Sequence, residues 1–342
     1  AIRGCLVSRA SVIVLALLAL AGGASALAEE AQAPQQCWTP HALVGTEAEL
    51  KHVHSRQSLD LGPLKQVTLP PATPIATELR GSIRGVTLPP GEKLIALTFD
   101  LCEENGYVSG YDGRVVDFLR AQGIKATFFA GGKWMETHPE RAQQLIADPL
   151  FEIGSHGLRH LDLSHAKEQT LAEEITLTEA AYARATTALT ARQCFVGAPR
   201  RPQERLTLFR FPYGRCNDKA LAATADAGLI AVQWDLVTGD PDPDVSANTI
   251  ANTILTRAHP GAIVVAHANG YGRNTAAALA IALPELTEQG YSFVTVSELL
   301  KAGKPVIAAR CYQNNPGDMT RIARTSPRRG NHDLFSVFGR SN

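Results

Sequence analysis

The 342-residue chain has no charge excess: Lys+Arg and Asp+Glu both number 33. Bulk electrostatic attraction therefore gives no reason to expect a nucleic-acid partner. No internal repeat is visible, which argues against a solenoid. No Gly-x-Gly-x-x-Gly follows the first apolar strand, and this speaks against a dinucleotide-binding sheet. The zinc-protease pattern His-Glu-x-x-His is missing, because Gly157 follows His156. Beyond the first 28 residues there is no apolar run of membrane-spanning length. Cysteine is scarce, with six in all.

What is present is ordinary for a globular protein. Hydrophobic residues make up 45% and charged residues 19%, enough apolar sequence for a substantial core. At the N-terminus, Arg3 and Arg9 lead into the apolar run from Ser11 to Leu20, and Ala26-Leu27-Ala28 closes it. That layout predicts a signal peptide over 1–28, and export to the periplasm or medium, without stable membrane insertion after cleavage. Its removal takes away two cations and Cys5. Cys37, Cys102, Cys194, Cys216 and Cys311 remain. In an oxidising compartment an odd count predicts disulfides and at least one free thiol.

Residues 29–91 carry Pro-rich punctuation and little periodicity, and read as an N-terminal extension wrapped on the body. From Leu94 onward short apolar runs alternate with helical patterns. Strands are expected near 94–99, 124–130, 151–153, 206–211, 229–234, 262–266 and 292–296, with helices between them. Several runs are apolar on both faces, which predicts a parallel sheet sheathed by helices. The count suits a distorted (β/α) barrel of about seven or eight units as one catalytic domain over 92–303. Residues 304–342 read as a C-terminal extension, partly disordered, with basic Arg321, Arg324, Arg328 and Arg329.

In such folds chemistry gathers where strands end. Asp100 ends the first strand, and Ser155-His156-Gly157-Leu158-Arg159-His160 follows the third. Arg210-Phe211-Pro212-Tyr213-Gly214, Trp234 through Asp240, and Val265-Ala266-His267 end later ones. A spacing of four places His156 and His160 on one side of a helical turn, in reach of one cation. Taken singly, each feature has a plain reading. A His-x-x-x-His is more often surface sequence, and Asp100 alone would be a loop cap. Arg210 alone would be half of an ion pair, His267 a hydrogen-bonded core histidine, and Asp240 a turn residue.

Together, and in this order, the motifs resemble the polysaccharide deacetylase family, carbohydrate esterases built on a chitooligosaccharide deacetylase domain. Thr98-Phe99-Asp100 and the four motifs above carry the resemblance, with Lys125-Ala126-Thr127-Phe128-Phe129 as a typical second strand. The resemblance implies that Asp100 is the general base acting on a metal-bound water, oriented by Arg210. It implies that His156 and His160 hold a divalent metal, with zinc expected. It makes the backbone N–H of Tyr213 an oxyanion donor, and His267 the general acid tuned by Asp240, with Asp235 as an alternative.

One position departs from the family. A second Asp usually follows the base and completes the metal triad, whereas this chain has Leu101. Either Cys102 or Glu103 replaces that ligand, or Asp100 moves to the metal, or the site is weak or metal-free. Cys102 also has a second prospect, a disulfide to Cys216 across the site mouth, and this pairing is the one expected here. The implied activity is N-deacetylation of an amino sugar in an extracytoplasmic glycan, peptidoglycan or exopolysaccharide. The alternatives are hydrolysis of another amide or ester, and an inactive glycan-binding protein of the same fold.

Overall fold

Period-two alternation along the first long strand divides the molecule into two cores. The computed structural model describes residues 37–194 and 202–315. In it β1 (Leu94–Leu101) sends Ile95, Leu97, Phe99 and Leu101 into the core beneath the helices, while Ala96 enters a smaller core on the opposite face. The other strands are β2 (Ala126–Ala130), β3 (Phe151–Ser155), β4 (Leu208–Phe209), β5 (Ile230–Ala231), β6 (Leu236–Val237), β7 (Ile263–His267) and β8 (Ser292–Val294). They pair in parallel in the order β5-β4-β3-β2-β1-β7-β6. β8 pairs with Leu94–Ala96 of β1, and β2 pairs with Thr98–Leu101.

Helices fill the connections: α1 (Gly113–Gln122), α2 (Gly132–Thr137), α3 (Pro139–Ala147), α4 (Glu168–Ala191), α5 (Asp218–Asp226), α6 (Ala247–Arg257), α7 (Thr275–Glu288) and α8 (Val296–Ala302). Local chemistry fixes their ends. Asp112 caps the start of α1 by accepting the Arg114 N–H, and Gly123 closes it in the left-handed region at φ 63°. Val115, Val116 and Leu119 turn the buried face of α1 onto the sheet. The sheet curls into the distorted (β/α) barrel that the alternation predicts. Phe129, Leu208, Val232, Trp234, Ile263 and Val265 fill its inside.

The sequence understated both flanks. Ser82–Thr87, read as part of an irregular extension, is a strand paired antiparallel with Lys304–Ala308. It also bridges Val232 through Ile83 and Ala262 through Gly85, so it spans the gap between β5 and β7. Gly261 permits this contact: its φ is 87°, and a Cβ there would sit 1.7 Å from the Val86 carbonyl oxygen. Nearer the N-terminus, Glu49 takes two hydrogen bonds from Arg141 of α3, at 2.7 and 2.9 Å. Four strands are shorter than their apolar runs suggest, notably β4 and β5 at two residues each. The expected signal peptide and the basic tail lie outside the described residues. No helix among the described residues is long and apolar enough to cross a membrane.

The disulfides correct one expectation. Cys37 pairs with Cys194, Cys216 pairs with Cys311, and Cys102 is free and buried. Cys216 is reached by the segment that follows the Lys304–Ala308 strand, and Cys102 turns inward to two histidines instead. The Cys216–Cys311 bridge closes 95 residues. Replacing both cysteines by Ser is expected to lower unfolding free energy by about 2–5 kcal/mol. Urea denaturation of the double variant checks this, and an unchanged midpoint would contradict it.

Candidate active site and metal centre

The inward parity of β1, β4 and β7 places three ionisable side chains around one cleft. Asp100 and His267 are directly opposed in the parallel register of β1 and β7. Side chains so paired emerge from the same face of a sheet. Arg210, one residue beyond β4, is wholly buried and spends its donors within the site. Its Nη1 donates to Asp100 Oδ1 at 2.9 Å and to Thr98 Oγ1 at 2.7 Å. Its Nη2 donates to the Gln233 carbonyl at 3.1 Å, and its guanidinium stands 4.0 Å from the Phe129 ring centroid. Burial alone would raise the Asp100 pKa, but His156 and Arg210 outweigh it and hold the carboxyl below its usual range. Asp100 is thus kept as a carboxylate, as a base requires.

His156 and His160 come together as the sequence predicts, though not on a helical turn. The segment after β3 is a loop in which Gly157 has φ 73° and His160 has φ 54°. Glu174 of α4 organises it from beneath, fully buried. Its carboxylate accepts the backbone N–H of Leu158 and Arg159 at 2.7 and 2.9 Å, and the Arg159 Nε–H at 2.7 Å. Nothing in the sequence singled out Glu174, since one acid in a long helix looks like any other. His156 Nδ1 lies 2.9 Å from the Arg210 carbonyl oxygen. A carbonyl only accepts, so Nδ1 carries a proton and Nε2 is the nitrogen left to face a cation.

Cys102 completes the group. The ligand atoms of Cys102, His156 and His160 all lie within 4.8 Å of one another, and all three side chains are buried. His160 Nδ1 is buried with no hydrogen-bond partner. It stands 3.8 Å from Glu104 Oε1. Burial disfavours charge on both Cys102 and His160. Their mutual attraction prevails, lowering the thiol to about 6 and raising the imidazole to about 10. One sulfur and two imidazoles, compactly placed and buried, fit a divalent cation.

Of the other positions, Asp100 stays beside the group, with Oδ2 3.6 Å from His156 Nε2, whereas Leu101 and Glu103 are turned elsewhere. Leu101 is buried on the helix side of β1. Glu103 accepts from Thr137 Oγ1 at 2.8 Å and from the Ser109 N–H at 3.0 Å, and it lies 3.3 Å from Lys133.

Across the cleft, His267 Nδ1 lies 3.0 Å from Asp240 Oδ1. Asp240 also accepts the His267 backbone N–H at 2.7 Å, and hydroxyls of Thr238 and Thr275 at 3.0 and 2.7 Å. Burial would depress the His267 pKa, yet Asp240 overrides it and pushes it up to about 9. His267 is therefore an imidazolium at neutral pH, the state an acid requires. Asp235 is turned away, accepting the Ile263 N–H at 2.9 Å and lying 3.1 Å from His259. Tyr213 sits in a short turn at φ 58°, a left-handed conformation rare for a large side chain. Its hydroxyl donates to Glu104 Oε1 at 2.9 Å, and its carbonyl accepts from Gln313 Nε2 at 2.8 Å. Trp234, Val237 and Val265 are among the apolar walls of the cleft between these groups. Asn269, two residues past His267, donates to both the carbonyl and the sulfur of Cys102. The strand-end motif read from the sequence stops at His267 and leaves Asn269 out.

Comparison with known proteins agrees with this architecture. Residues 87–199 match the family model described as polysaccharide deacetylase. A peptidoglycan-N-acetylglucosamine deacetylase of Bacillus cereus is 35% identical over 219 residues, covering 63% of this chain and 91% of that protein. Among solved structures, the Bc1960 peptidoglycan N-acetylglucosamine deacetylase superposes with a TM-score of 0.53 at 26% identity, covering 65% of this chain and 93% of its own. A mutant of a CE4-family pseudoenzyme, described as having restored enzymatic activity, superposes with a TM-score of 0.52 at 25% identity. The match covers 63% of this chain and 70% of that one.

Proposed function

The chain belongs to the polysaccharide deacetylase family, and from that premise we propose that it removes N-acetyl groups by hydrolysis from an amino sugar of an extracytoplasmic glycan, peptidoglycan or exopolysaccharide. One observation carries the reading: Asp100 and His267, opposed in register, present a carboxylate and an imidazolium to one cleft beside the Cys102–His156–His160 group.

His156 and His160, with Cys102 in reach, would hold the cation. Zinc is the metal proposed. When bound, such an ion supplies Lewis acidity, acidifying water and polarising an acyl carbonyl. Asp100 takes a proton from the attacking water, its carboxylate held in place by Arg210. The backbone N–H of Tyr213 supports the oxyanion as the carbonyl carbon becomes tetrahedral. His267, braced by Asp240, delivers a proton to the amine as the C–N bond breaks. The products are acetate and a free amino sugar. The apolar cleft wall at Trp234 suits a sugar ring's flat face.

Two of the proteins named above are called peptidoglycan N-acetylglucosamine deacetylases, which supports the substrate class. The pseudoenzyme relative gives the inactive alternative its weight. Its reading is countered by the base, orienter and acid all standing here with their hydrogen bonds made. Acetate release from N-acetylated glucosamine oligomers, compared with an O-acetylated xylan, tests the proposal. Acetate is expected from the N-acetyl substrates. Release from the ester alone, or binding without any release, would overturn it.

A further inference from the structure

We infer that Cys102 supplies its sulfur as the third protein ligand of the cation held by His156 and His160, making a Cys-His-His centre that selects zinc-like metals over magnesium, manganese or calcium. The inference rests on the metal-dependent reading above and goes further in naming the ligand and the class of metal.

The geometry leads to the sulfur. The residue after the base, Leu101, faces the helix-side core by strand parity and has no donor atom. Glu103 is engaged by Lys133, Thr137 and the Ser109 N–H. One Asp100 oxygen is spent on Arg210 and the other lies 3.6 Å from His156 Nε2, but Asp100 does not share the compact group formed with both histidines. Cys102 is different: its sulfur shares a 4.8 Å neighbourhood with the ligand atoms of both histidines. His160 is only 7% exposed, and its Nδ1 stands 3.8 Å from Glu104 Oε1.

The backbone at Cys102 is also pinned for the task. Its carbonyl accepts from Ser109 Oγ at 2.6 Å and from Asn269 Nδ2 at 2.8 Å. The same Asn269 amide reaches the sulfur at 3.0 Å, and Asn269 itself is fully buried. An N–H donor on a ligating sulfur orients it and balances its charge, as outer hydrogen bonds do for metal-bound imidazoles. A thiolate with two imidazoles favours zinc and cobalt, whereas the hard ions prefer oxygen donors.

Cobalt(II) reads the ligand directly. The purified full chain is stripped with chelator, loaded with Co(II), and its absorption recorded. An intense near-ultraviolet sulfur-to-cobalt charge-transfer band is expected. Zinc should abolish it, and millimolar magnesium should not. C102S and C102D should still take up cobalt through the histidines but show no such band. C102S should bind zinc about 100-fold more weakly or worse, since losing a ligand costs at least what losing an outer partner does. C102D restores a carboxylate near the site, and should shift preference toward manganese. Circular dichroism of both variants establishes that they are folded.

A cobalt complex of the unaltered protein without the band, or a band that survives in C102S, overturns the inference. Failure to take up cobalt overturns it as well, together with the metal site. Acetate release, assayed on the same zinc-loaded preparations, judges the deacetylase reading separately. A protein that releases acetate but lacks the band keeps its activity assignment and loses only the sulfur ligand.

Discussion

Asp100→Asn and His267→Ala are each expected to lower turnover on an N-acetylated oligosaccharide by about 10²–10⁴-fold, the usual contribution of a positioned acid or base. The two substitutions remove different proton transfers. Asn cannot accept the proton of the attacking water, although its amide keeps the shape of the Arg210 contact. Ala at 267 leaves the departing nitrogen without a donor, so the C–N bond must break to an unprotonated amine. Substrate binding should change far less than turnover in both, because neither proton has moved in the ground state. Steady-state kinetics by acetate quantification checks this. Near-normal rates in both variants would show that the chemistry lies elsewhere.

The second large effect is on stability. Arg210 is a wholly buried cation whose counter-ion, Asp100, is also buried. Arg210→Met keeps much of the volume but strands the carboxylate, and should cost about 3–5 kcal/mol. Pairing it with Asp100→Asn removes the stranded charge, so the double variant should lose less than the two single losses added together. Urea unfolding of the three variants tests this. A loss below about 1 kcal/mol for Arg210→Met would mean that Asp100 is not held by an ion pair.

Much of this site could be read from the sequence because strand parity and strand ends are local properties. Asp100, Arg210 and His267 each follow an apolar run, at the parity of an inward-facing residue, so the run predicts both the burial and the direction. His156 and His160 were found for a partly mistaken reason. Their spacing suggested a helical turn, but a loop with two left-handed residues brings the rings to a centroid separation of 5.0 Å. Such a loop depends on Glu174 of α4, a contact no pattern in the chain reveals.

The disulfide error has the same origin. Cys102 and Cys216 do both follow strands that end at the cleft. Yet Cys216 belongs to Cys311, whose approach depends on Lys304–Ala308 pairing with Ser82–Thr87 more than two hundred residues earlier. Non-local strand pairing leaves little trace in composition, and proline on both flanks of Ser82–Thr87 disguised it as linker. Leu101 was different again. The sequence announced the missing carboxylate plainly, and only the folded chain brings the Cys102 sulfur within 4.8 Å of both histidines' ligand atoms.

The central claim is that water attacks an acetyl carbonyl in this cleft and that the bond to nitrogen breaks. Single-turnover reaction of the zinc-loaded protein with N-acetylated glucosamine oligomers in ¹⁸O-labelled water, read by mass spectrometry, tests it most directly. One labelled oxygen is expected in each acetate released, with an unlabelled glycan carrying one free amine per acetate. Label in the glycan, or glycan bound at the cleft with no acetate formed, would contradict it.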